Sequence, residues 1–246
     1  MDKNDKTSID SLLCDPVLKR SYNRKIFSVI APKYSLVTRI LSWGQDQRWK
    51  DLLVSKLNIA PGSFLLDIAC GTGDITFKLS NRFPDCKIIG VDLTSRMLEI
   101  ARSRINLSNV TFSIQDMDSL ALRDECADLI TGGYMLRNAP DLQSTLLECH
   151  RVLKTGATAA FIDFSKPAEV TFQKIEIFIL RIWGALWGKL FHGKAAFYTY
   201  IADSLERFPD RITLPKIAEK CGFHLRYSKK LFFGFAELLI FQKITI

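Results

Sequence analysis

Apolar positions follow two rhythms along the chain. Between residues 65 and 164, short apolar runs alternate with amphipathic stretches. The segments SFLLDIAC, KIIGVDL, VTFSIQD, CADLITGGYM and ATAAFIDFSKP read as buried strands, and DITFKLSNRF, SRMLEIARSRI and LQSTLLECHRVLKTG read as helices. Gly156 is expected to close the last of these helices. Such alternation builds a mostly parallel sheet covered by helices. Before it, residues 22–57 read as helical with breaks near Pro32 and Gly44, and Ile26, Ile30, Tyr34, Val37, Ile40 and Leu41 form an apolar stripe. After it, residues 170–205 read as strongly apolar and aromatic helix. TLPKIAEKCGF is a helix capped by Gly222, and the last twenty-odd residues form two strands around a turn at Gly234. The first twenty residues read as a loose tail or a short helix.

With 246 residues, the chain can bury a substantial core. A formal charge of +8 suits an anionic partner without choosing one. The basic residues are scattered and show no pattern of an RNA-binding module, which argues against nucleic acid. Six cysteines without CxxC pairs or zinc-like spacing to the three histidines point to reduced thiols, a cytoplasmic setting and no metal. The start does not resemble a signal peptide. The most apolar region, IEIFILRIWGALWGKLF, is interrupted by Glu176, Arg181 and Lys189 and does not reach membrane-spanning length.

Candidate chemistry gathers at LLDIACGTGDIT. Gly71 and Gly73 let a ligand approach the backbone beyond the first strand, at the carboxyl edge where open sheets bind ligands. Asp92 ends the second strand and can accept from two ribose hydroxyls. Dinucleotide enzymes share this geometry, but their fingerprint needs a small residue where Thr76 stands. Asp67 before the turn suits an ammonium group better than a pyrophosphate. Asp74 reads as a further ligand carboxylate or as a first-turn helix charge. Asp116 and Met117 can border an adenine, or simply occupy a loop.

On these residues, together with FSVIAPKYSLVTRILSWGQDQRWK, GVDLTSRMLEIAR, YMLRNAPD, RVLKTG, IDFSKP and YTYIADSLERFPDRITL, the chain resembles the class I S-adenosylmethionine-dependent methyltransferases. Within them it resembles the menaquinone and ubiquinone biosynthesis C-methyltransferase family. The resemblance implies a Rossmann-like α/β methyltransferase sheet with N-terminal helices and a helical insertion before the final strands. It implies S-adenosyl-L-methionine as cofactor, held by Asp67, Ala69, Gly71, Thr72, Gly73, Asp92, Leu93, Asp116 and Met117. It also implies a lipophilic prenylated quinol as methyl acceptor, of demethylmenaquinol type, or another isoprenoid or terpenoid skeleton. The family's usual Phe-Gly before Leu-Arg-Asn is Tyr134–Met135 here. The chain then divides into a helical segment (1–60), a cofactor-binding core (61–166), a helical cover on the substrate side (167–210) and a helix with strands completing the core (211–246).

A quinol ring carbon becomes nucleophilic as its hydroxyl loses a proton. Arg137 suits the stabilisation of an aryl oxide, Asn138 the orientation of a neighbouring oxygen, Tyr134 a hold on the phenolic oxygen and Asp163 a relay carboxylate. The competing readings pair Arg137 with Asp141 or Glu148, and Asp163 with Arg151 or Lys154. His150 reads as structural, and Tyr198 and Tyr200 as acceptor contacts or helix packing. The aromatic helix reads either as a surface that buries an isoprenoid tail and touches a bilayer, or as a core or homodimer contact.

Overall fold

The computed structural model describes residues 13–104, 107–192 and 196–245, so the extreme N-terminal segment lies outside the described residues. Asp15 caps helix α1 (Pro16–Ile30) by accepting from the amides of Val17 and Leu18, and a 3₁₀ turn at Ala31–Lys33 absorbs Pro32. Helices α2 (Tyr34–Leu41) and α3 (Gln45–Ser55) meet at Gly44, whose φ of +75° turns the chain between them.

The core then alternates as expected: β1 (Phe64–Ile68), α4 (Asp74–Arg82), β2 (Lys87–Asp92), α5 (Ser95–Arg104), β3 (Val110–Ile114), β4 (Ala127–Gly133), α6 (Leu142–Val152) and β5 (Leu153–Phe164). The antiparallel helices α7 (Val170–His192) and α8 (Ala196–Arg207) follow, tied by Arg181 to Asp203 at 2.8 Å and Glu206 at 3.1 Å. Helix α9 (Thr213–Lys220) leads into β6 (Phe223–Leu231) and β7 (Ala236–Lys243). Among the described residues the strands form one seven-stranded sheet in the order β3-β2-β1-β4-β5-β7-β6. All pairs are parallel except β5–β7 and β6–β7.

The central strands are buried on both faces, alternate residues going to opposite sides, while β3 and β6 at the edges are more exposed. Leu65 belongs to a core with Leu53, Leu79 and Ile162, under α3 and α4. Its neighbour Leu66 belongs to the opposite core with Leu146, Phe161 and Ala218, under α6 and α9. Strand order reverses between β1 and β4, so the loops after these strands open a crevice at the carboxyl edge.

One boundary differs from the pattern-based expectation. Helix α6 ends at Val152, and Leu153 is already extended, so Gly156 (φ +79°) lies inside β5 rather than closing the helix. Sheet pairing decides this: the amides of Glu125 and Cys126 bond to the carbonyls of Arg151 and Val152, and Lys243 Nζ binds the Leu153 carbonyl at 2.8 Å. Gly222 does follow α9, with φ +83° and its amide on the Glu219 carbonyl.

Candidate active site

The glycine turn is held in left-handed backbone, with φ of +51° at Ala69, +55° at Gly71 and +85° at Gly73. A Cβ on Gly73 would sit 2.9 Å from the Phe77 ring, so no side chain fits there. Asp92 closes the crevice from β2. One carboxylate oxygen accepts from the Gly71 amide at 2.9 Å and the other from the Thr94 amide at 2.8 Å. Each oxygen keeps a lone pair, which suits two vicinal hydroxyls. Burial raises the Asp92 pKa above the usual carboxylate value.

Asp67 is fully buried, and burial lifts its pKa to about 6 even though the hydroxyls of Thr76 (2.6 Å) and Thr131 (2.8 Å) donate to it. Thr76, unsuited to a dinucleotide turn, is therefore the residue that seats Asp67. Asp74 is engaged by Lys50 at 2.9 Å, Gln47 at 3.0 Å and Arg104 at 2.5 Å. Burial opposes ionisation of Asp74, but the two cations hold its pKa down at about 2. Thr72 meets Ser35 Oγ at 3.0 Å, and its carbonyl accepts from Arg104 at 2.8 Å.

A cavity of about 70 Å³ lies over this edge, bordered by Ala69, Gly71, Asp92, Leu93, Asp116 and Met117. Asp67 and Thr72 instead line a smaller hollow of about 20 Å³ beside the turn, and Gly73 lines neither. Helix α1 supplies the opposite wall through Arg20, Asn23 and Phe27. Arg20 clamps Asp116 at 2.6 Å and Asp118 at 3.0 Å. The donor set fits a nucleoside bearing a cationic amino-acid arm: a carboxylate for the ribose, Leu93 and Met117 for a flat base, and acidic residues near a positive centre.

A second cavity of about 250 Å³ adjoins the first, with Phe27, Tyr34, Tyr134 and Asn138 as shared walls. Its lining is largely apolar and aromatic, including Val37, Trp49, Phe164 and Trp183. Arg137 is buried in this wall. Its Nη1 donates to Ser204 Oγ, its Nε lies 3.8 Å from Asp163, and its guanidinium carbon is 5.0 Å from the Phe164 ring centre and 5.9 Å from that of Tyr200. Asp163 also accepts the Arg137 amide at 3.0 Å; burial, partly offset by Arg137, raises its pKa. Two buried polar atoms of the lining, Arg137 Nε and Asn138 Oδ1, make no hydrogen bond.

The competing pairings are thereby corrected. Asp141 caps α6 through the Ser144 amide, Glu148 binds Arg151, and Lys154 binds Asp128. Arg137 and Asp163 face each other because the β4 and β5 ends are neighbours in the sheet. His150 contacts the Ile244 carbonyl and Phe223, which border neither cavity. The Tyr200 hydroxyl donates to Asn23 at 2.6 Å, while the Tyr198 side chain lies outside the described residues.

Several contacts that the sequence pattern does not announce complete the site. Tyr134 has φ +59° and donates to Asp46 at 2.8 Å, and Asp46 binds Lys50 at 2.7 Å. Lys19 reaches the carbonyls of Arg137 (3.2 Å) and Ala139 (2.5 Å), and Asn23 reaches that of Asn138 (2.8 Å). A buried acid and lysine four apart on a helix, Asp46 and Lys50, was the available hint.

Comparison with known proteins places the chain in a family. Residues 16–241 match the model of the ubiE/COQ5 methyltransferase family. The chain is 34% identical over 224 residues to the demethylmenaquinone methyltransferase of Thermotoga maritima, covering 90% of this chain and 96% of that one. It is 31% identical over 210 residues to the ubiquinone/menaquinone biosynthesis C-methyltransferase UbiE of Desulfotalea psychrophila, covering 85% of each chain. Among solved structures, a SAM-dependent methyltransferase from Aquifex aeolicus superposes with a TM-score of 0.58 at 16% identity, over 79% of this chain and 89% of that one.

Proposed function

The chain belongs to the ubiE/COQ5 methyltransferase family and is an S-adenosylmethionine-dependent methyltransferase, and from that premise we propose that it methylates a ring carbon of a lipophilic prenylated quinol of demethylmenaquinol type. The observation that carries this reading is the apolar cavity abutting the cofactor cavity, with Arg137 Nε and Asn138 Oδ1 unsatisfied in its wall. Buried polar atoms without partners are costly unless a ligand completes them. A ring hydroxyl meets the first of these needs, its oxygen accepting from Arg137 Nε, and Asn138 Oδ1 remains for a second polar group of the acceptor.

In this reading Asp92 holds the ribose, and Leu93, Asp116 and Met117 border the adenine. Asp67, Ala69, Gly71, Thr72 and Gly73 shape the space for the methionine arm. The bound cofactor supplies an electrophilic methyl group. Arg137 stabilises charge developing on the ring oxygen, Asp163 keeps that guanidinium in place, and the apolar walls exclude water.

The same reading extends to a membrane. Among the described residues no helix is long and apolar enough to cross one. Helix α7 nevertheless turns Phe172, Ile175, Phe178, Ile182 and Leu186 outward at helical spacing, with exposed Lys174 and Lys189. Phe233, 99% exposed, follows Lys229 and Lys230, also exposed. The adjoining Ile179 and Trp183 line the apolar cavity, so this face offers an isoprenoid tail a route from lipid.

The direct test is transfer of labelled methyl from S-adenosylmethionine to a reduced, short-chain demethylmenaquinol. A ring-methylated product is expected; binding of the cofactor without transfer to that quinol overturns the acceptor assignment. For the surface, flotation with vesicles containing anionic lipid should carry the protein upward, less so at high salt. Absence of flotation at any salt concentration removes the membrane contact.

A further inference from the structure

We propose that Tyr134 and Asp46 form a proton relay for the acceptor's ring hydroxyl, Tyr134 touching the substrate and Asp46 acting through it. The inference rests on the methyl-transfer reading above. Tyr134 borders the cofactor cavity, the apolar cavity and the small hollow beside the glycine turn. Its main chain is pinned at φ +59°, with its amide on the Ile162 carbonyl at 2.6 Å and its carbonyl receiving Asn138 at 2.7 Å. A bulky residue in left-handed backbone is strained, and such strain persists where surrounding contacts enforce it. Here they aim the ring at the junction of the cavities. The ring also packs against Phe164, 5.7 Å between centres.

The Tyr134 hydroxyl donates to Asp46 Oδ1 at 2.8 Å, which leaves its oxygen able to accept. Asp46 is buried and lines none of the three cavities. Its Oδ2 receives Lys50 at 2.7 Å and Gln47 at 3.2 Å. Lys50 continues to Asp74, and Asp74 to Arg104. The cluster holds two acids and two bases, so it is neutral overall. A buried ion cluster is weak evidence for stability alone, and this one ends on the hydroxyl of a residue that lines all three cavities. The rival proton acceptors are poorer. A guanidinium has no lone pair to take a proton, and Asp163 lines none of the three cavities and is turned to Arg137.

The proton accounting closes. As the methyl–carbon bond begins to form on the ring, the ring hydroxyl becomes strongly acidic, and Arg137 beside its oxygen favours loss of the proton. Its O–H bond breaks, and the electron pair stays to form the carbonyl. Tyr134 Oη takes the proton and passes its own to Asp46 Oδ1. The methylated carbon then releases its hydrogen to water as a proton, and the ring becomes aromatic again. Asp46 returns its proton through Tyr134 to the ring oxygen. One methyl group enters, one proton leaves, and the relay is restored. A base that acts only as the hydroxyl becomes acidic suits a carboxylate already paired with Lys50.

The test uses Asp46→Asn and Tyr134→Phe in the full chain, measured by single-turnover labelled-methyl transfer at saturating cofactor. Two acceptors are compared: an ordinary quinol, and one with electron-withdrawing ring substituents whose hydroxyl is already ionised in the assay. The relay predicts cofactor affinity within about twofold of the parent. It predicts at least a roughly tenfold slower transfer to the ordinary quinol, and transfer to the ionised acceptor within about threefold of the parent. Equal losses on both acceptors mean a structural role and overturn the relay, as do parental rates on both. Should Asp46→Asn fold poorly, Tyr134→Phe decides, because phenylalanine keeps the ring packing and removes only the hydroxyl. Should the parent methylate neither acceptor, the acceptor reading falls and the relay with it.

Discussion

The two cavities at the carboxyl edge of the sheet are built on opposite terms. On the cofactor side, backbone amides and threonine hydroxyls already satisfy the carboxylates of Asp67 and Asp92 before any ligand arrives. On the acceptor side, an apolar wall keeps Arg137 Nε and Asn138 Oδ1 without hydrogen bonds. The first cavity is preorganised around fixed negative charge, whose cost falls on folding. The second stores unmet polar capacity, which is relieved only when an acceptor enters. Preorganised charge favours tight, geometry-specific holding of the cofactor, and unmet capacity favours stabilisation of charge that appears during reaction.

The largest effect that sharpens this contrast is expected at Asp67. Burial raises its pKa from 3.8 to about 6. An acid with a raised folded-state pKa contributes stability below its unfolded value and loses it as pH rises through the folded one. The parent should therefore lose stability between about pH 4 and pH 6, by up to about 3 kcal/mol at neutral pH from a shift of this size. Asp67→Asn has no such titration. Denaturant unfolding at pH 4 and pH 7.5 should show the variant gaining on the parent at the higher pH while its cofactor affinity falls. A difference between the two proteins that does not change with pH would deny that the buried charge carries this cost.

A smaller effect isolates the acceptor side. Arg137→Lys keeps the charge but removes the planar fork that spans Ser204, Asp163 and the cavity. Single-turnover transfer should fall at least about tenfold, roughly 1.4 kcal/mol, with cofactor affinity within about 1 kcal/mol of the parent. Near-parental transfer in a folded variant would remove Arg137 from the chemistry, and parallel losses of stability and rate would make it structural.

This contrast also explains what was legible in the sequence. The cofactor side lies within one βαβ unit and its neighbours, so the glycine turn, Asp92 and the alternation of strands and helices follow from local pattern. Even there Thr76 was read only as an obstacle to a dinucleotide, because its bond to Asp67 depends on the depth of the strand beneath it. The acceptor side joins α1, α2, α7, α8 and the β4 and β5 ends, segments up to 177 residues apart in the Tyr200–Asn23 contact. Arg137, Asn138, Tyr134 and Asp163 stand out in the sequence as candidates, but the partners of their side chains do not. No spacing rule links Tyr134 to Asp46 or Lys19 to the Arg137 loop. Gly156 was misplaced for a related reason: a local helix-ending signal yielded to pairing with a strand edge formed elsewhere.

The smallest expected effect probes the strap where the two sides meet. Helix α1 crosses the cofactor cavity, and three of its residues fasten it: Arg20 to Asp116 and Asp118, Lys19 to the Arg137 and Ala139 carbonyls, and Asn23 to the Asn138 carbonyl. Lys19 and Asn23 bind buried carbonyls, so their loss would disturb the acceptor loop as well. Arg20 is partly exposed and holds only carboxylates, which makes it the cleanest place to loosen the strap. Exposed ion pairs contribute at most about 1 kcal/mol and weaken with salt. Arg20→Gln should therefore weaken cofactor affinity by about two- to fivefold at low ionic strength, mainly through faster release, with little change at high salt. Stopped-flow release of S-adenosylhomocysteine at two salt concentrations measures this directly. Tighter binding in the variant would mean that Arg20 competes with the adenine for Asp116, and that the carboxylate serves the ligand better when the strap lets it go.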